Sequence, residues 1–249
     1  MSFWDVLCWI MLPYAAITVF IVGHVWRYRT DQFNWTSRST QLLDRKTLGW
    51  ASPAFHYGAL AAIGGHVIGL CIPESWTHAV GISEGSYVWI AGVAGGVAGL
   101  VTLAGFLGLL YRRTTSVRVR QRTSWMDIFT YLLLTVLILM GCWMTFGWTL
   151  FTDDPYNYRG SIAEWWRSLF YFDPDVEAVH GSPFIYQLHA IVAWLFWGTF
   201  AFSRLVHAWS IPLQYLGRPY ILYRSRSPQA EPMPRRAGEV TETTGRSPR

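Results

Sequence analysis

Apolar residues in this chain gather in long runs, and charged residues collect in the gaps between them. Five runs, at about 6–28, 52–72, 87–111, 126–150 and 184–211, are long enough to cross a bilayer as helix, which takes roughly 20 residues. Together they take up about half of the 249 residues, leaving no stretch long enough for a second packed domain. The expected fold is an all-α membrane protein: a five-helix domain over residues 1–217 and a cytoplasmic tail over 218–249. The tail is rich in Pro, Arg, Ser and Glu without apolar periodicity, and is expected to be disordered.

Composition agrees with a lipid environment. The chain is 52% apolar and only 14% charged, against about 25% charged in an average soluble domain. The first run carries Asp5 in place of a basic leading region and is too long for a cleaved signal peptide. Its three cysteines, Cys8, Cys71 and Cys142, are scattered, with neither a CxxC pair nor a CxxCH box. They offer no disulfide framework, no iron–sulfur site and no covalent attachment point for a cofactor.

Charge placement predicts orientation. Arg27, Arg29, Arg38, Arg45 and Lys46 follow the first run, and Arg112, Arg113, Arg118, Arg120 and Arg122 follow the third. Seven more arginines lie in the tail, whereas the stretch 73–86 has none and 151–183 has only Arg159 and Arg167. An excess of basic residues marks the cytoplasmic side, which puts the N-terminus outside and the C-terminus inside. The net charge of +5 is accounted for by this asymmetry, without nucleic acid.

Histidine is the chemistry that the apolar runs carry. The second holds His56 and His66, and the fifth holds His189 and His207. An ionisable ring inside a membrane run marks function. Ten residues separate the first two, roughly 15 Å of helix, and eighteen separate the second two, five turns or roughly 27 Å. The second and fifth runs are antiparallel because three crossings separate them. His56 and His207 therefore share the cytoplasmic side, and His66 and His189 the outer side. One helix cannot put its two rings on opposite faces of one haem, whereas facing helices can. The pairing is thus His56 with His207 and His66 with His189, each ring giving a neutral nitrogen to iron, for two haems roughly 20 Å apart. Gly58, Gly64, Gly65 and Gly69 clear volume beside the first pair, for close helix packing or for a flat porphyrin. A proton relay or metal-transport path is the competing use of such histidines. It ordinarily recruits membrane acids, and no run has one deep inside.

Other features fill in the scaffold. His24, in the belt that closes the first run, is expected to face headgroups or a polar neighbour, and His78 and His180 to be solvated. The third run carries two overlapping GxxxG steps, Gly92/Gly96 and Gly95/Gly99, a packing signal. Arg112 and Arg113 at its end suit either cytoplasmic anchoring or haem propionates. Arg204, a turn from His207, can snorkel. Ser161 to Glu164 has the spacing of a capping box opening a short helix, and the run Trp165 to Phe172 suits a helix in the outer interface.

The segments from Phe55 to Leu70, Tyr111-Arg112-Arg113 and Phe202-Ser203-Arg204-Leu205-Val206-His207-Ala208-Trp209-Ser210-Ile211-Pro212 resemble the gamma subunit of respiratory nitrate reductase, as does the stretch from Ser39 to Lys46. The likeness covers all five runs. It implies a dihaem cytochrome b of the bacterial inner membrane, oxidising quinol near the outer haem in anaerobic respiration. Electrons would pass to an iron–sulfur beta subunit and on to a molybdenum alpha subunit that reduces nitrate. The resemblance assigns the inner haem to His56 and His207, the outer haem to His66 and His189, and the quinol region to Gly65 and His66. The family pattern has a lysine at the outer mouth of the third helix, where this chain has Gly85, Ser86 and Tyr87. Two alternatives are a haem-bearing anchor or electron conduit for another reductase, and a transporter with membrane histidines.

Overall fold

The structure, a computed structural model, describes residues 1–40 and 45–209. Five helices are long and apolar enough to cross a membrane: α1 Phe3–Thr30, α2 Leu48–Cys71, α3 Glu84–Thr115, α4 Trp125–Leu150 and α5 Phe184–Phe202. No strand occurs among the described residues. Outward-facing side chains such as Ile63, Val67, Val97, Leu132 and Leu139 are exposed and apolar, as a lipid-facing surface requires. The chain is a multi-pass membrane protein. The tail after Trp209 and the loop residues Gln41 to Asp44 lie outside the described residues.

Polar caps set the helix starts, which is why several begin earlier than their apolar runs. Ser2 with Asp5 and Ser124 with Asp127 form reciprocal capping boxes at α1 and α4, and the Ser83 hydroxyl accepts the N–H of Ser86 at α3. The last turns of α4, Phe146–Leu150, widen to a π-helix.

Small residues draw α2 and α3 together. A Cβ on Gly105 would strike the backbone of Phe55, one on Gly58 the backbone of Thr102, and one on Gly108 the rings and methyl of Trp50 and Ala51. The GxxxG glycines turn to α4, with Gly92 and Gly96 against Leu150 and Phe146 and Gly99 against Cys142. Among the described residues, the extensive helix contacts run α2–α3–α4–α5–α1. No extensive contact joins α2 to α5 among them; the rings of His66 and His189 face one another there.

The connection from 151 to 183 is packed rather than laid on the surface. Its short helix Ile162–Ser168 buries Trp165, whose indole N–H donates to the carbonyl of Trp9. Leu169, Val176 and Val179 complete this core with Trp194 of α5. An interfacial helix was expected over 165–172, and only Phe170, Tyr171 and Phe172 are exposed in that way. The expected capping box at Ser161 is absent, although the helix forms. The Ser161 hydroxyl instead pairs with that of Tyr156 at 2.6 Å, and its backbone (φ −143, ψ −94) is outside the capping geometry.

Candidate functional site

Two pairs of imidazoles face one another, His66 of α2 with His189 of α5, and His56 of α2 with His207, which follows α5. The ring centres of His66 and His189 lie 6.2 Å apart, with planes 13° from parallel. Those of His56 and His207 lie 6.1 Å apart, with planes at 67°. An imidazole nitrogen is about 1 Å from its ring centre and about 2 Å from a bound first-row metal, so two trans ligands put their ring centres about 6 Å apart.

Hydrogen bonds decide the tautomers. Nδ1 of His56 faces the carbonyl of Ser52 at 2.7 Å, Nδ1 of His66 that of Ala62 at 2.7 Å, and Nδ1 of His207 that of Arg204 at 2.7 Å. A carbonyl only accepts, so the proton sits on Nδ1 and the lone pair on Nε2. This is how metal-binding histidines are commonly oriented. His189 differs, since its Nδ1 is buried without a hydrogen-bond partner among the described residues.

The glycines beside α2's histidines divide into two kinds. Those at 58 and 69 are filled by Thr102 and by the Tyr158 hydroxyl, whereas a Cβ at Gly64 or Gly65 would meet nothing within 4 Å. Open volume thus lies beside His66. At the end of the helices that carries the other pair, a cavity of about 310 Å³ is lined by both His56 and His207, by Arg112, Arg113 and Arg204, and by Asp127. Arg112 and Arg113 are buried, donating to Thr40 and to the Thr123 hydroxyl, so they are not anchors at the lipid margin.

His207 is not on the α-helical continuation of His189. The α-helix ends at Thr199, a 3-10 turn covers Phe200–Phe202, Ser203 is extended (φ −94, ψ 176), and a second 3-10 segment covers Arg204–Trp209. The five-turn phase expected between the two histidines is therefore broken. The break is stable because its polar groups are answered. Arg27 donates to the carbonyls of Ala201 (2.6 Å) and Ser203 (3.1 Å), and the Ser203 hydroxyl donates to that of Phe200. Arg204 does not snorkel; it grips Asp127 through two bonds of 2.7 and 2.6 Å. In the sequence Arg27 reads only as one of the basic residues that follow the first run, and nothing singles out Asp127.

The remaining histidines lie apart from these pairs. His24 packs among Phe20, Trp35, Phe200 and Trp209 rather than against headgroups, its Nδ1 donating to the carbonyl of Phe20. His78 lies 3.6 Å from Glu74, and His180 lies 3.0 Å from Asp5. At the N-terminal end of α3 the loop supplies Arg159, fully buried, 3.0 Å from Glu84 and 3.9 Å above the ring of Tyr87. A basic group absent from the local sequence is thus brought there by tertiary folding. Beside it, burial and the Tyr87 hydroxyl at 3.0 Å hold the phenol of Tyr158 well above the usual tyrosine range.

A family model described as nitrate reductase gamma subunit matches residues 5–226. The nitrate reductase gamma chain of Bacillus subtilis is 40% identical over 220 residues, covering 88% of this chain and 97% of that one. The respiratory nitrate reductase 1 gamma chain of Escherichia coli is 34% identical over 227 residues, covering 91% of this chain and 100% of its own length. A nitrate reductase-like protein, NarX, of Mycobacterium tuberculosis is 44% identical over 232 residues, or 93% of this chain. This chain spans only 36% of that relative's length.

Proposed function

Because the chain belongs to the nitrate reductase gamma-subunit family, we propose that it is the quinol-oxidising, dihaem membrane subunit of a quinol:nitrate oxidoreductase. On this reading it hands electrons to an iron–sulfur beta chain, and nitrate is reduced on a molybdenum-containing alpha chain. The observation that carries the proposal is the matched spacing of two imidazole pairs, 6.1 and 6.2 Å between ring centres.

His56 and His207 would hold an inner haem, and His66 and His189 an outer one. When bound, such a pair supplies one-electron carriers at two depths of the membrane. Carbonyl partners keep the Nδ1 proton in place on His56, His66 and His207, which directs Nε2 to iron. Gly64 and Gly65 leave space for a porphyrin edge, and Arg113 and Arg204 set guanidiniums beside the inner site, where propionates carry negative charge. Gly65 and His66 mark the face where quinol would approach. Acids within the five helices, Asp5, Glu84 and Asp127, all stand in a first turn, which disfavours a transport path.

The exposed Arg29, Arg118, Arg120 and Arg122 favour placing that end of the helices in the cytoplasm. Arg159 and Arg167, the two exceptions on the opposite side, are used internally, the second donating to the carbonyl of Leu70. The test is a reduced-minus-oxidised spectrum and haem count on the complex purified from its native membrane. Two b-type haems per chain are expected, with beta and alpha chains co-purifying. A colourless chain would sink the proposal.

A further inference from the structure

We propose that Asp127 and Arg27 position His207, so that the inner ligand pair is set by contacts the outer pair does not share. The inference rests on the haem reading above.

His207 lies in the six-residue 3-10 segment Arg204–Trp209, beyond the extended Ser203. Short 3-10 runs have poor hydrogen-bond geometry and little stability of their own, so tertiary contacts must hold this one. Two of them frame it. Asp127, 2% exposed, receives the guanidinium of Arg204 side-on through both carboxylate oxygens, a planar fork that fixes orientation as well as distance. That carboxylate is itself fixed, since the backbone N–H of Ser124 donates to it at 2.9 Å. The carbonyl of the same Arg204 accepts the Nδ1 proton of His207. A line of direct contacts therefore runs from the first turn of α4 to the tautomer and direction of the inner ligand.

Arg27 holds the break that leads into the segment. It is 4% exposed, one nitrogen reaches the carbonyls of Ala201 and Ser203, and the other reaches that of Asn34. Only a guanidinium presents enough rigidly arranged donors for three carbonyls at once. The fully buried Val206 packs the segment from inside. His189 needs none of this, because the continuous α-helix Phe184–Thr199 carries it.

The experiment uses the purified holo-complex, with each haem followed by optical redox titration and low-spin EPR. The inner signal is assigned as the one lost in His56→Ala. In Asp127→Asn both haems should stay bound, while the inner midpoint potential rises and its EPR feature moves. Removing a negative charge that lines the same cavity favours the reduced state. The outer signal should be unchanged, and Asp127→Glu should restore most of the inner shift. Because Asp127→Asn leaves Arg204 partly uncompensated, the pair Asp127→Ala with Arg204→Met removes both charges of that pair and leaves Arg113, 3.8 Å from Asp127, its bond to the Thr123 hydroxyl; both haems are expected to stay bound in it. That double variant should still disturb only the inner signal, as should Arg27→Lys. An unchanged inner signal across these variants with two haems present, or equal shifts at both centres, would overturn this inference alone. A wild-type complex without haem would overturn the haem reading and the inference together.

Discussion

The two histidine pairs use the same residue type at nearly the same separation, yet the fold builds them in different ways. His66 and His189, the pair proposed for the outer haem, both sit on unbroken α-helix, and their ring planes are 13° from parallel. The inner pair joins a helix to a 3-10 segment beyond a break, and its planes stand at 67°. Helical periodicity places the outer pair, whereas long-range guanidinium contacts place the inner one. A ligand set that looks symmetrical in sequence is mechanically unsymmetrical, so the two centres should respond to different mutations.

The sharpest way to break that contrast is to remove an outer ligand. His66→Ala or His189→Ala should halve the haem per chain, abolish quinol oxidation and leave the inner signal intact, as read by haem count and EPR. Loss of both haems, or of neither, would show that the pairs are not independent units.

Glycines next in line report the packing on each side. Gly105→Ala drives a Cβ into the backbone of Phe55, beside His56, and should destabilise the chain by about 2–3 kcal/mol in thermal melts. Gly64→Ala, near His66, meets no atom within 4 Å and should change protein stability by less than about 1 kcal/mol, with Ala the better helix former. Equal costs at the two positions would remove the distinction between a packed flank and an open one.

Arg159→Ala tests whether the outer side depends on its packed connection. The side chain is 1% exposed, and Glu84, Thr77 and the carbonyl of Ile72 all accept from it. Its loss should lower stability by about 2–3 kcal/mol, less than a fully buried pair because Glu84 is 25% exposed. Both haem signals should keep their positions. The smallest effect concerns Tyr158. Its neutral form is favoured in the fold, so its contribution to stability is flat below about pH 10, where an unfolded tyrosine begins to ionise, and falls above it. Tyr158→Phe should flatten the alkaline fall in melting temperature, and an unchanged alkaline limb would remove this residue as its cause.

Much of this was legible beforehand. The five apolar runs became five helices because a membrane span is a local property of composition and length. The crossings alone brought His56 toward His207 and His66 toward His189, since antiparallel helices fix which ends meet. What could not be read were interactions with no periodic trace. Nothing near Ser203 announces a break, because its carbonyl is answered by Arg27, 176 residues away. Nor does a run of tryptophans reveal that Trp165 points inward, when its partner is Trp9, 156 residues earlier.

The sequence by itself determined the number of membrane-spanning helices, which histidines face one another, and the likeness to the nitrate reductase gamma family, since each lies in local composition, crossing order or motif. Only the tertiary structure decided which glycines are open, where the fifth helix stops, and which charges hold its last histidine. Those outcomes depend on buried donors finding acceptors across the fold, and an unpaired guanidinium or carboxylate inside a membrane protein is too costly to leave unanswered.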